Sequence, residues 1–282
     1  MKTTKKWLLS AALLASCGQP DALEVQQSQR MTIKDITDAE WQALAGQKIY
    51  FGHQSVGRNI VAGVKDLLAE HPRVAATVVS DRDPESVPGP ALIEGLIGKN
   101  GDPLGKTRDF AGAVRRGLAT GGIALHKYCY VDVNENTDVP RLFSDYRAAM
   151  QEIRANNPDV KLVHVTMPLM VKPRLTVKDR IKVLIGRELD FDLNLKRNEF
   201  NRLLVAVYVG KQPVFDLAAL ESTQADGTRL YEDVNGVRVY SMAPEWSDDG
   251  GHLNETSRKM VAEQLLVFLA RLHNPARVTV RS

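Results

Sequence analysis

Between Lys48 and Glu70 the chain reads KIYFGHQSVGRNIVAGVKDLLAE, an apolar strand-like run that passes with no linker into an amphipathic helix. Ile60, Val61, Val64, Leu67 and Leu68 share one face of that helix, and Pro72 ends it. A strand that turns straight into its own covering helix continues as a crossover to a parallel neighbour, and such crossovers are right-handed. The rest of the chain keeps the same alternation. Val74 to Val79, Ile123 to Tyr130, Lys161 to Thr166 and Pro213 to Leu217 have strand length and composition. Helical stripes lie between and after them: Leu142, Tyr146, Met150 and Ile153, then Phe200, Leu203, Leu204 and Val207, then Val261, Leu265, Phe268 and Leu272. The pattern predicts an α/β fold, a three-layer α/β/α sandwich on a parallel sheet of about five strands in flavodoxin-like order.

Thr37 and Glu40 have capping-box spacing and open a short helix that Gly46 stops. Asp81 to Thr107, with Pro84, Pro88, Pro90 and Pro103, and the basic stretch Val171 to Leu189 read as insertions. At the carboxyl edge of a parallel sheet such loops are natural substrate walls. Thr228 to Met242 reads as a hairpin turning at Asn235-Gly236.

The first sixteen residues have the layout of a signal peptide: a basic start, then an apolar run from Trp7 to Ala15 too short to span a bilayer. Leu14-Ala15-Ser16-Cys17 resembles a bacterial lipobox, which makes Cys17 the expected lipidation site and the membrane the expected partner. By resemblance to Gram-negative lipoproteins, Gly18 rather than an aspartate after the cysteine implies the outer membrane, facing the periplasm or the cell surface. Residues 17–31 then form a polar, glutamine-rich tether, 32–275 one domain, and 276–282 a tail. Of the 37 basic residues set against 34 acidic ones, Lys2, Lys5 and Lys6 make up the excess and lie in the leader. The remaining chain is balanced, which gives no electrostatic basis for binding nucleic acid. With Cys17 lipidated, Cys129 has no cysteine to pair with and reads as a small buried hydrophobe.

Two short segments carry chemistry. Ser55 stands at the strand-to-helix corner, where its hydroxyl projects above the sheet and the first helical N–H groups favour negative charge. Near the other end, Asp249-Gly250-Gly251-His252 sets an aspartate three residues before a histidine in a flexible turn, ahead of the last helix. That offset lets the carboxylate hold one ring nitrogen and leave the other facing a nucleophile. In a doubly wound sheet both segments fall at the same edge. His126 and His164, inside strands, read as core residues, and Asp216 reads as a helix cap.

A serine after the first strand and a DxxH motif before the last helix resemble the SGNH/GDSL hydrolase superfamily, in a divergent branch where Gly52-His53-Gln54-Ser55-Val56-Gly57 replaces the GDS block. The resemblance spans roughly Lys48 to Leu272. It implies acyl transfer with Ser55 as nucleophile, His252 as general base and then acid, and Asp249 as orienter, acting on a small-molecule or carbohydrate ester without metal or cofactor. It also implies an oxyanion hole from the Ser55 N–H, a glycine N–H and an asparagine side chain. Gly101 and Gly105 both lie in the right interval, while Asn134 is either the side-chain donor or the start of an Asx turn, with Asn136 behind it. His53 and Gln54 line the pocket or hold the corner, and Trp246 either offers a stacking face or packs inside. The absence of clean GDS and GxND blocks leaves two alternatives: a non-catalytic binding or assembly module, and an O-acyltransferase using the same triad.

Overall fold

The computed structural model describes residues 31–72, 76–172, 177–186 and 193–272. The leader, Cys17, the tether and the tail lie outside them. In chain order the elements are α1 (Asp38–Ala45), β1 (Lys48–His53), α2 (Ser55–Glu70), β2 (Val78–Ser80), β3 (Ala91–Leu96), α3 (Pro103–Gly117), β4 (Gly122–His126), α4 (Val139–Asn156), β5 (Val160–Val165), α5 (Val177–Leu184), α6 (Leu193–Tyr208), β6 (Val214–Phe215), α7 (Leu217–Ser222), β7 (Tyr231–Val234), β8 (Val237–Tyr240) and α8 (Glu255–Arg271). Six strands form one sheet in the order β2-β3-β1-β4-β5-β6, every pairing parallel. Without the edge strand β2, that order is flavodoxin-like, with β1 central.

Alternation along the strands divides the core. Ile49 and Phe51 of β1 join Leu125, Val163 and Val165 in a cluster closed by α1, α2 and α8. Tyr50, Ile93, Ala124 and Leu162 point the other way, into a cluster closed by α3, α4 and α6. With helices on both faces the sheet is buried, as its near-continuous apolar runs require. The short hairpin β7-β8 turns at Asn235 and Gly236, both at positive φ, as a tight primed turn demands.

The sheet has six strands rather than about five, and the additional one lies inside the stretch expected to be an insertion. Ala91-Leu92-Ile93-Glu94-Gly95-Leu96 pairs with β1 along its whole length. Pro88, Gly89 and Pro90 precede it and Gly98 follows it, so its flanks carry loop composition. Glu94 interrupts its apolar run. Helix α3 begins at Pro103, so Asp81 to Thr107 contains a framework strand and the start of a framework helix rather than being an insertion throughout. Strand limits also differ: β4 ends at His126 rather than Tyr130, β6 covers only Val214–Phe215 rather than Pro213 to Leu217, and the described part of the second strand is only Val78–Ser80.

Helices α2 and α8 lie side by side and run the same way. Gly63 sits against Arg258 and Ala262, while Val64 and Leu68 share a cleft with Leu266 and Leu269. Asp66 and Arg258 form an ion pair beside that contact, at 2.8 Å. The parallel run places the start of α2, with Ser55, at the same sheet edge as the turn that precedes α8. A Cβ at position 63 would collide with the Arg258 backbone carbonyl, so the approach requires glycine. Gly63→Val is expected to destabilise the protein by about 1–3 kcal/mol or more through overpacking, read as a lowered urea midpoint at unchanged m.

Candidate active site

The corner after β1 is built to leave a helix end open. Gln54 is the N-cap of α2, yet its side chain makes no cap bond; instead its amide nitrogen donates to the carbonyls of Ile97 and Gly98, at 2.8 and 3.0 Å. The helices α1, α3, α4, α7 and α8 are each capped by a side chain, from Thr37, Asp102, Asp138, Asp216 and Asn254. At α2 the first N–H groups, including that of Ser55, are free to meet an anion. His53 is wholly buried behind the corner, its Nδ1 3.0 Å from the Gln54 carbonyl and its Nε2 3.1 Å from Glu94 Oε2. Gly57 lies against His53 so closely that no Cβ fits between. His53 and Gln54 therefore hold the corner rather than line a pocket. Lys65 and Ser80 also bind Glu94, and with the hydrogen bond from His53 they hold its carboxyl down at about 2.

The turn before α8 carries the acid and the base. Asp249 Oδ2 lies 2.7 Å from His252 Nδ1. Asp249 Oδ1 accepts the N–H groups of Gly251 and His252, at 2.9 and 2.8 Å, and the Ser247 hydroxyl at 3.1 Å. These bonds, led by the His252 N–H, hold the Asp249 carboxyl well below the usual carboxylate range. With the carboxylate on Nδ1, that nitrogen carries the ring proton and Nε2 presents its lone pair. Gly250 adopts φ +89°, a conformation that favours glycine.

Nε2 faces Tyr130, whose hydroxyl is 3.4 Å away with the two rings edge to face. Among the described residues Ser55 Oγ makes no hydrogen bond to His252. Acid and base are thus brought together directly, and the serine only to the same edge: β1 neighbours β4, and α2 neighbours α8. Long or absent nucleophile–base bonds are common before substrate binds.

Tyr130 escaped the sequence analysis because it sat in an expected strand. The shortened β4 instead releases Lys127 onward into a loop, with a short 3-10 turn over Tyr130–Asp132. That turn is fixed from below. Asp132, fully buried, accepts Lys106 Nζ at 2.7 and 2.6 Å, the Cys129 N–H at 2.6 Å and the Gly101 N–H at 2.9 Å. The buried Arg197 donates from Nε to the Tyr130 carbonyl at 2.9 Å.

The other expected site residues lie as follows. The Gly101 N–H is engaged by Asp132 and the Gly105 N–H by its own helix cap Asp102, at 2.8 Å. Asn134 is exposed, and its side-chain oxygen accepts the Asn136 N–H at 2.9 Å, an Asx turn. Trp246 is packed in the core with its indole N–H on the Thr223 carbonyl, so it offers no stacking face. Cys129 is buried and unpaired by any disulfide. His164 is a satisfied core residue, between the Tyr146 hydroxyl and Gln212. Asp216 caps α7.

No protein-family model and no curated protein matches the sequence. Solved structures similar to this chain include a GDSL-like lipase from Bacteroides thetaiotaomicron, 15% identical over 83% of this chain and 95% of that one, with a TM-score of 0.49. A carbohydrate esterase family 3 protein from Talaromyces cellulolyticus is 16% identical over 80% of this chain and 96% of that one, at a TM-score of 0.44. A peptidoglycan O-acetylesterase is 15% identical over 66% of this chain and 48% of that one, at a TM-score of 0.42. The chain's own sheet order is the flavodoxin-like one expected from its alternating strands and helices, with one further edge strand.

One buried acid supports the segment that pairs with the Asp249–His252 turn. Glu221 Oε2 accepts the Leu169 N–H at 2.7 Å, and two residues on, the Val171 N–H reaches the Gly250 carbonyl at 2.9 Å. Burial pushes the Glu221 carboxyl up to about 8, against the opposing pull of the Leu169 N–H and of Lys127. In the unfolded chain a glutamate titrates near 4.3, so between about 4.3 and 8 the folded state holds a proton that the unfolded state has lost, and stability falls as pH rises through that window. Glu221→Gln keeps an acceptor for Leu169 without the titration. The variant is expected to gain stability relative to the wild type between about pH 5 and pH 8, as a difference in urea midpoints.

Proposed function

We propose that this protein is a serine-dependent esterase of the SGNH/GDSL kind, with Ser55 as nucleophile, His252 as base and then acid, and Asp249 as orienter. The observation that carries the proposal is the Asp249–His252 pair, with Nδ1 held by the carboxylate at 2.7 Å, set just before α8, which packs along the helix that Ser55 starts without a side-chain cap. A serine hydroxyl is a poor nucleophile at neutral pH unless a base takes its proton during attack. Ser55 Oγ adds to the ester carbonyl as its proton passes to Nε2. The alcohol leaves with that proton, and water repeats the sequence on the acyl-enzyme. The N–H groups at the head of α2 face the negative oxygen.

For the substrate we propose an acyl group carried on a cell-envelope carbohydrate, with the enzyme tethered through lipidated Cys17 at the outer membrane. The lipobox-like leader motivates the location. The openness of the site suits an ester borne on a larger carrier, since the Asp249 and His252 side chains are 58% and 36% exposed.

A binding module is the rival, favoured by one observation: Nε2 meets Tyr130 rather than Ser55. Chemistry separates the two. Ser55→Ala and His252→Ala are each expected to lower hydrolysis of p-nitrophenyl acetate by about 1000-fold or more with the fold retained by circular dichroism, and a fluorophosphonate probe to label Ser55 alone. Full activity in either variant, or no labelling of Ser55, would leave the binding module. Methanolysis outrunning hydrolysis when an alcohol is added would make the same triad a transferase.

A further inference from the structure

An ester-hydrolysing site needs donors aimed at the carbonyl oxygen as it becomes negative. Two expected donors are engaged, the Gly101 N–H by Asp132 and the Gly105 N–H by Asp102, while the exposed Asn134 side chain is held by its oxygen in its own Asx turn. What stands at the base instead is a phenol. The Tyr130 hydroxyl lies 3.4 Å from Nε2, so a proton donor that approaches this nitrogen must come up beside the phenol oxygen.

We propose, on the footing of the esterase reading above, that Tyr130 is a catalytic residue whose hydroxyl donates to the oxyanion, and that protonation of His252 releases it to do so. In the resting site Nδ1 is engaged by Asp249, so Nε2 is an acceptor and the Tyr130 O–H donates to it. When Ser55 attacks, its O–H bond breaks and the proton goes to Nε2. The Oγ–carbon bond forms and the carbonyl π pair moves onto oxygen. Nε2, now an N–H, no longer accepts, and the phenol proton turns to the new alkoxide. Collapse returns that pair to the carbonyl, the leaving alcohol takes the proton from Nε2, and the phenol bonds to Nε2 again. The donor is therefore offered when charge develops, and the ground-state ester does not compete for it.

The surroundings hold the ring for this task. Arg197 fixes the Tyr130 carbonyl, and the Asp132 network fixes the turn. Gly251 leaves room for the ring, since a Cβ there would lie 2.9 Å from Tyr130 Cζ. Burial and the nearby Asp249 charge raise the phenol above its ordinary value, so it keeps its proton at working pH.

Tyr130→Phe in the full chain removes the hydroxyl and keeps the ring. The expected result is a fall of about 100-fold in kcat on p-nitrophenyl acetate with KM nearly unchanged, and a comparable loss of affinity for phenylboronic acid, which forms a tetrahedral adduct on serine. Ser55→Ala, assayed beside it, tests the underlying reading. If Ser55→Ala is inert while Tyr130→Phe turns over as fast as the wild type or faster, the phenol only shields Nε2 and the proposal falls while the esterase stands. If Ser55→Ala retains activity, the esterase reading fails first. Should the phenylalanine variant not fold, 3-fluorotyrosine at position 130 keeps both ring and hydroxyl, and near-neutral kcat is expected to match or exceed the wild type. A kcat falling about 100-fold there would overturn the proposal.

Discussion

The Asp132 side chain is fully buried, and it joins three parts of the chain that sequence keeps apart. Lys106 comes from α3, Gly101 from the loop after β3, and Cys129 from the loop after β4. A buried ion pair contributes little net stability against a well-packed apolar alternative, but removing one partner strands a charge and costs about 3–5 kcal/mol. What such a pair supplies is a fixed geometry. Here it fixes the loop that leaves β4 and therefore where Tyr130 stands. The same carboxylate takes the Gly101 N–H, so the interaction that positions the phenol also withdraws a glycine donor from the site. The two facts are one arrangement.

A second constraint brings the ends of the chain together. The aspartate–histidine turn is nearly two hundred residues from Ser55, and its place depends on α8 lying along α2 with Gly63 at the contact. Because both helices start at the carboxyl edge of the sheet, a parallel run brings their first turns to the same edge. A bulkier residue at position 63 would force α8 outward and carry His252 with it. Core packing far from the Asp249–His252 turn thereby sets where that turn stands relative to Ser55.

The layered fold was legible because its signals are periodic: β1, α2, β5, α4 and α8 each follow the apolar spacing expected of them. Strand β3 was not, because Pro88, Gly89, Pro90 and Gly98 crowd its ends and Glu94 breaks its run. That glutamate is inward-facing for a reason visible only in three dimensions, its bonds to His53, Lys65 and Ser80. The pairing of Asp249 with His252 was legible through local spacing. The place of Tyr130 beside that pair was not, since it arises from where β4 ends. His53, Gln54 and Trp246 carry the residue types of a pocket, yet their partners are a partly buried glutamate, two carbonyls and the Thr223 carbonyl.

The spacing of the Asp249–His252 turn has a physical meaning beyond bringing a carboxylate to an imidazole. Asp249 and His252 are well exposed, and exposed ion pairs alone contribute little order. Orientation comes from the backbone instead. One carboxylate oxygen gathers the N–H groups of residues 251 and 252 and the Ser247 hydroxyl, leaving the other oxygen for Nδ1. That closure needs a positive φ at Gly250, and it needs a bare Gly251 so that Tyr130 can lie against the turn. The two glycines in Asp-Gly-Gly-His thus serve opposite ends of the same geometry: one lets the carboxylate seize the imidazole, and the other lets the phenol reach its far nitrogen.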